Sequence, residues 1–296
     1  MNPVRILLMV AVPLLTACQS LPPLPAWQSP EGHEHVDLNR ILDLRNGQQV
    51  TPKQLVAELA AAERVLVGER HDNPDHHALQ LWLLQALAQQ REQGSLLLEM
   101  LDPVQQIRVE AVQASIAQGH WPADLPAELD WQKGWEWPLY GPLVTYALAQ
   151  PYPLLQANLD RDEIAAIYRQ RPEVTGPPAA VEVQQALFEQ IRSSHCDMLP
   201  ESQLPAMLAV QQQRDRRMAE RLEAAPTPAM LLAGVFHVRR DVGVPLHLRG
   251  GADEEHTRVL VLAEVGERVE ADQADFVWFT PTQPEKDYCA ALRKSS

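Results

Sequence analysis

Positive charge is in short supply in this 296-residue chain: 25 lysines and arginines face 39 aspartates and glutamates, a formal net charge of −14. Such a surface cannot neutralise a phosphate backbone, which excludes nucleic acid as a partner. It also excludes broad electrostatic adhesion to anionic lipid. Long apolar runs are missing after the first residues, so nothing downstream has the roughly 20 apolar residues of a membrane-spanning helix. Aromatic residues make up only 5% of the chain and cysteines number three, so any clustering of either carries information. No internal repeat is visible, which argues against solenoids and propellers. Hydrophobic residues, by contrast, reach 46%, enough for the core of one large domain or two small ones.

The one long apolar run opens the chain. Arg5 and the amino terminus form a short positive region, and Ile6 to Leu15 is apolar throughout. That length suits the core of a signal peptide rather than a membrane span. Leu15-Thr16-Ala17-Cys18 resembles the bacterial lipobox, which predicts a signal peptide over 1–17, cleavage before Cys18 and lipid on its thiol. An ordinary secretory signal with an incidental cysteine is the alternative. Gln19, where an aspartate would favour the inner membrane, points to the outer membrane as the destination. Residues 18–35 are rich in proline, which fixes φ and removes donors, and read as an extended tether to the globule. Cys196 and Cys289 remain in a compartment where disulfides persist, so a bridge between them is expected, with two buried thiols as the alternative.

Residues 36–296 carry the globular domain. Near-continuous apolar runs at 64–69, 95–100, 152–158, 230–235, 258–265 and 276–280 suit strands buried on both faces. Helical patterns lie between them, opening at Thr51-Pro52, Pro74 and Asp102-Pro103 and covering 161–169, 181–192 and 204–222. Residues 38–51 around Asn46-Gly47 read as a small hairpin. The order predicts an α/β fold: a largely parallel sheet covered by helices, with a helical subdomain, about 104–225, inserted between strands. Such folds bind ligands at the carboxyl edge of the sheet.

Two apolar strands end in Gly-x-x-His: Gly68-Glu69-Arg70-His71 and Gly234-Val235-Phe236-His237. In a parallel sheet both histidines reach the same edge, where Glu99 and Asn158 end two further strands. Carboxylates beside imidazoles suit a metal or acid–base chemistry; a polar loop capping a helix is the bland alternative. His76 and His77 are adjacent, so on a helix they diverge by about 100°. Trp121, Trp131, Trp135, Trp137 and Tyr140 fall within twenty residues. That segment could wrap a flat apolar ligand with Tyr140 as iron ligand, or be a satellite core under a loop. His195-Cys196 lacks the spacing of a redox or zinc motif, and Arg214, Arg216 and Arg217 form a basic island that could meet carboxylates.

Taken in order, VLVGERHDNPDHHALQLWLLQAL, SLLLEM, WPLYGPLV, SSHCDML with QQQRDRRMAERL, LLAGVFHVRRDVGVPLHL and DFVWFTP…DYC resemble the ChaN family of haem-binding, iron-regulated bacterial lipoproteins. The resemblance covers nearly all of the chain after Val36. It implies an α/β fold with a helical subdomain, haem bound through a tyrosine, and dimerisation around a pair of haems. Tyr140 is the candidate ligand, with Tyr146 and Tyr152 competing and His195 as a second contact, from a partner subunit. It further implies a role in iron acquisition alongside an outer-membrane haem receptor, and binding rather than catalysis. The wider group includes the Tiki and TraB proteins, some of them metal-dependent proteases that share the paired Gly-x-x-His. The alternative is therefore a hydrolase holding a divalent metal at Glu69, His71, Glu99 and His237, with Gly68, Arg70 and Gly234 in support.

Overall fold

A computed structural model describes residues 20–249, 256–284, 286 and 289–290. The expected signal peptide and lipidated Cys18 lie outside the described residues. Eight strands form one sheet: β1 Ile41–Asp43, β2 Gln48–Val50, β3 Arg64–Glu69, β4 Ser95–Leu98, β5 Leu154–Gln156, β6 Ala229–Gly234, β7 Thr257–Glu264 and β8 Phe276–Thr280. Their order across the sheet is β2-β1-β8-β7-β3-β6-β4-β5. The hairpin β1–β2 is antiparallel and joins β8 antiparallel; the neighbours from β8 to β5 are all parallel. The α/β fold expected from the alternation of runs is thus present.

The parallel strands are continuous in apolar residues because both faces are covered. Val65, Val67, Leu96, Leu98, Met230 and Leu232 face one core; Leu66, Leu97, Leu231 and Ala233 face the other. The first face is packed by α1 Pro52–Ala61, α2 Pro74–Leu87, α3 Gln106–Ala117 and α5 Trp137–Leu148, with the short α4 Leu125–Glu128 before α5. The second is packed by α8 Leu204–Ala224 and by the turn α9 Val235–Val238 that follows β6. On the outside of α8 lie α6 Arg161–Gln170 and α7 Val181–Ser194. The long helical stretch between β4 and β6 is therefore divided by β5 between the two faces.

Local chemistry sets the helix starts. Thr51 and Gln54 form a capping box at α1, and Asp160 and Glu163 do so at α6. Asn73 caps α2, its side chain accepting from the amides of Asp75 and His76, with Pro74 at the first position. The expected bridge between Cys196 and Cys289 is formed, with Cα atoms 5.8 Å apart and 93 residues between them. Closing a loop of that size restricts the unfolded chain by about 4–5 kcal/mol in the chain-entropy account. Among the described residues no helix is long and apolar enough to cross a membrane.

The proline-rich leader departs from the tether expected of it. It has no helix, but from Leu21 onward it is packed on the globule rather than free. Leu21 and Trp27 lie against the first core. The indole of Trp82 donates to the carbonyl of Pro22 at 2.9 Å. The buried carboxylate of Asp75 accepts from the amides of Gln28 at 2.7 Å and Ser29 at 3.0 Å. Glu31 then pairs with Thr282. This cover explains why α2 is buried nearly all round, with Asp75, His76, His77 and Gln80 as enclosed as its leucines. Replacing Asp75 with Ala strands two backbone donors, at about 1–3 kcal/mol each. The expected result is a lower denaturant midpoint and new protease cleavage within residues 20–30; an unchanged digestion pattern would show that the carboxylate does not hold the leader.

Candidate functional site at the carboxyl edge

The site follows from one register. β3 and β6 pair in parallel with Glu69 opposite Gly234, so both Gly-x-x-His motifs leave the sheet side by side. Each glycine makes room for the other motif. A Cβ on Gly234 would stand 2.8 Å from His71 Nε2, and one on Gly68 would stand 2.4 Å from a methyl of Val238 and 3.1 Å from Cα of Val235. Both distances are inside van der Waals contact, so only glycine allows the two turns to close together.

Two carboxylates organise the edge. Glu69 is buried; its Oε1 accepts from the Tyr140 hydroxyl at 2.7 Å and from His71 Nδ1 at 2.9 Å. His71 Nδ1 is also 3.2 Å from the Tyr140 hydroxyl. Glu69 Oε2 lies 3.0 Å from His77 Nδ1, an ion-pair contact off the line of a good hydrogen bond. His77 Nε2 donates to the carbonyl of His71 at 3.0 Å, so a proton on Nδ1 facing the carboxylate makes the ring an imidazolium. Glu99, just past β4, accepts from the amide of Gly234 at 2.8 Å and meets His237 Nε2 at 3.4 Å. His237 Nδ1 is 2.5 Å from Asp215 of α8 and 3.2 Å from the Gln211 amide. The diverging His76 plays another part: the amide of Arg70 donates to its Nδ1, and its Nε2 donates to Thr280. It is therefore neutral, and burial pushes it down to about 3.

The protonation states follow from the pairing. Burial would lower His237, but Glu99 and Asp215 on either side carry it up to about 10. Burial would raise Glu99, yet His237, His71 and the Gly234 amide hold it at about 2. Burial would likewise raise Glu69, but His77 and His71 hold it below the ordinary carboxylate range. Asp215 differs: burial outweighs His237 and lifts it to about 6. His71 and His77 stay above the ordinary imidazole value because Glu69 outweighs their burial.

The expected site residues separate into groups. Glu69, His71, Glu99, His237 and Gly234 are brought together, joined by Tyr140, which the aromatic segment delivers through α5. The Arg70 side chain turns to Glu264 at 2.8 Å, while its backbone amide donates to His76. Among the described residues no group of three or more His, Cys, Asp or Glu is placed to hold a metal ion. The side chains that spacing offered as metal ligands are instead paired imidazole to carboxylate. Tyr140 is 1% exposed, and burial together with Glu69 pushes its phenol well above the ordinary tyrosine value. In this structure its hydroxyl is a buried donor to Glu69. Tyr146 and Tyr152 sit further along the same layer and touch none of this network. His195 ends α7, its Nδ1 held by Ile191 and Ser194, apart from Tyr140. Asp215, His77 and Glu264 were not singled out by spacing. A signal existed for Asp215: it lies one α8 turn before buried Met218 and so on that helix's inner face.

Above this network lies a surface hollow of about 880 Å³. Trp131 and Trp135 wall it, and Lys133, Arg161 and Arg214 stand around it with Asp102, Asp130, Asp160 and Asp162. Trp135 packs edge-on against His71 with ring centroids 4.9 Å apart, and Trp131 and Trp135 both flank Tyr140. The His71 side chain is 43% exposed, so it is the member of the network that solvent reaches.

The carboxyl edge with its paired histidine turns and the indole-walled hollow above them form the candidate site. The family described as "Haem-binding uptake, Tiki superfamily, ChaN" matches residues 55–248, and the chain belongs to it. It is similar to ChaN of Campylobacter jejuni, solved as a structure of cofacial haem binding: TM-score 0.73, 29% identity, covering 81% of this chain and 95% of that one. It also aligns with an erythromycin esterase mutant in its open conformation, at TM-score 0.45 and 12% identity, covering 86% of each chain, too weakly to carry any argument. No curated protein matches the chain.

The pairing generates a pH signature. Glu99, lowered from 4.5, contributes fully above pH 4.5 and loses its contribution as pH falls toward 2. His237, raised from 6.5, contributes fully below pH 6.5 and loses its contribution as pH rises through 10. Asp215, raised from 3.8, favours the fold while protonated and withdraws that support as pH rises through 6. The melting temperature should therefore fall on the alkaline side between about 6.5 and 10. His237→Gln should flatten that limb and cost about 3–5 kcal/mol at pH 6, since it removes the imidazolium facing the buried carboxylate of Glu99. An alkaline limb of unchanged slope in the variant would exclude His237 as its source.

Proposed function

We propose that this chain is a haem carrier of the bacterial envelope, held at a membrane, the outer one, by lipid on Cys18, with haem seated in the tryptophan-walled hollow. One observation carries the site. Trp131 and Trp135 offer flat apolar faces, and Arg214 enters the same hollow with a buried Nε that has no hydrogen-bond partner among the described residues. A porphyrin presents the complement: two apolar faces and two carboxylates. The volume is within the roughly 300–1,000 Å³ of small-molecule pockets. Of the basic island read from the sequence, Arg216 pairs with Glu220 and Arg217 with Glu163, leaving Arg214 for a ligand. The four aspartates on the rim repel carboxylates, so the propionates belong on the Arg214 side.

Membership of the ChaN family and the cofacial haem binding of the Campylobacter protein support this reading. A hollow open on one side leaves one ring face uncovered, and a second haem-loaded copy stacked there makes the homodimer part of the proposal. The lipobox at Leu15-Thr16-Ala17-Cys18 and the Gln19 that follows support the anchor. Exchange of haem with an outer-membrane receptor is the corresponding role in iron acquisition.

Haemin titration of the purified chain tests the reading. A saturable Soret band at one haem per chain is expected. Arg214→Ala should weaken it by about 10- to 100-fold, since a hydrogen bond to a charged group contributes about 1.5–3 kcal/mol and 1.4 kcal/mol is tenfold. Tyr140→Phe should leave the spectrum unchanged while lowering stability, because its phenol is enclosed on Glu69. A shifted spectrum in Tyr140→Phe would place that oxygen on the iron; no saturable binding by the wild type would overturn the function.

A further inference from the structure

The leader is a feature of the sequence whose observed state differs in kind from its expected one, and the difference bears on how the protein sits at a membrane. Residues 18–35 as a free extended tether would reach roughly 60 Å at about 3.3 Å per residue. That exceeds the roughly 19 Å radius of gyration of a chain this size about threefold, and it would let the globule present any side to the bilayer. The docked leader shortens the reach. Its first described pin is the bond from Trp82 to the Pro22 carbonyl, four residues after Cys18. Four residues span at most about 14 Å, less than the radius of gyration.

The direction of docking adds a second constraint. The leader meets α2 at Trp82, in its later turns, and reaches Asp75 in its first turn only at Gln28 and Ser29. Since α2 returns from the carboxyl end of β3 to the amino end of β4, Pro22 lies toward the amino edge of the sheet. The hollow lies at the carboxyl edge. Charge agrees with this placement. In a chain of net charge −14, residues 20–30 carry no charged side chain, and Pro23, Leu24 and Ala26 are exposed on that strip.

We infer that the leader clamped along α2 fixes the attitude of the globule on the bilayer, with the uncharged leader strip and the amino edge against the lipid surface and the tryptophan-walled hollow turned away from it. The inference rests on the reading of Cys18 as the lipid anchor. In this attitude haem reaches the hollow from the aqueous side.

The test uses the full lipidated chain in phosphatidylcholine vesicles containing headgroup-nitroxide lipid. A fluorophore is attached at Ala88→Cys, exposed at the end of α2, or at Asp162→Cys, exposed at the hollow's rim. Quenching should be several-fold stronger at position 88 than at 162. Inserting twenty glycine and serine residues between Gln19 and Ser20 should bring the two together. Equal quenching in the uninserted chain, or an inserted chain that keeps the difference, overturns the fixed attitude. A chain that does not float with the vesicles, or that floats as well with Cys18→Ala, overturns the anchor itself and is distinguished by flotation alone.

Discussion

The parallel pairing of β3 with β6 is the constraint on which the rest depends. Its register sets Glu69 opposite Gly234, and from that one alignment the geometry of the edge follows. A shift of one residue would reverse every side chain between the two cores. The strands are apolar on both faces, so either register buries leucine and valine. What discriminates is the fit of the turns. Gly68 admits the turn carrying His237, and Gly234 admits His71. The repeated Gly-x-x-His is thus a reciprocal packing device before it is a set of chemical groups. The glycine and the histidine of each motif serve different partners.

The same closeness decides what the edge does with its charge. Three buried carboxylates, Glu69, Glu99 and Asp215, would be prohibitive in isolation, since an unpaired buried ion is worth several kcal/mol of desolvation. They are met by His77, His71 and His237, which lie above the ordinary imidazole value for that reason. His237, which meets Glu99 through one ring nitrogen and Asp215 through the other, carries both protons and has no lone pair left for a metal. The donor set that looks like a metal centre in the sequence is, in the fold, largely paired within itself, with His71 the member that solvent reaches. The proposed haem seat lies one layer out, at Trp131, Trp135 and Arg214.

Much of this was legible in the sequence because it is carried by period and punctuation. Runs such as RVLVGE and FVWFT have no alternation, which requires cover on both faces, and β3 and β8 span those runs fully. Thr51-Pro52 and Asn73-Pro74 mark helix starts through their capping chemistry, and those starts stand where the residues put them. The convergence of His71 and His237 followed from parallel strands ending alike. What was not legible depends on rotation about a helix or on long-range contact. Asp215 stands in a run of glutamines and arginines that reads as solvated, and only the packing of α8 turns it inward. Tyr140 looked like an open ligand because its neighbours are aromatic, but a helix entering the first core carries its ring under them. The proline-rich leader looked like a spacer because local propensity gives it no structure. Its order comes from Asp75 and Trp82, some fifty residues away, which no local rule can supply.

The two ends of α2 connect these results. Its first turn supplies Asn73, Asp75, His76 and His77: one cap, one clamp for the leader, one neutral imidazole against β8 and one charged partner for Glu69. Its later turns supply Trp82, which receives the leader near its start. A single helix therefore ties the described amino-terminal segment to the buried network beneath Trp135. Loosening the leader removes cover from the face of α2 opposite the sheet, and the residue most dependent on that cover is Asp75, two positions from His77. His77, two residues on, meets Glu69, which also holds Tyr140 and His71 beneath Trp135. The leader's docking and the pairing of His77 with Glu69 are thus both carried by one helix that is buried nearly all round.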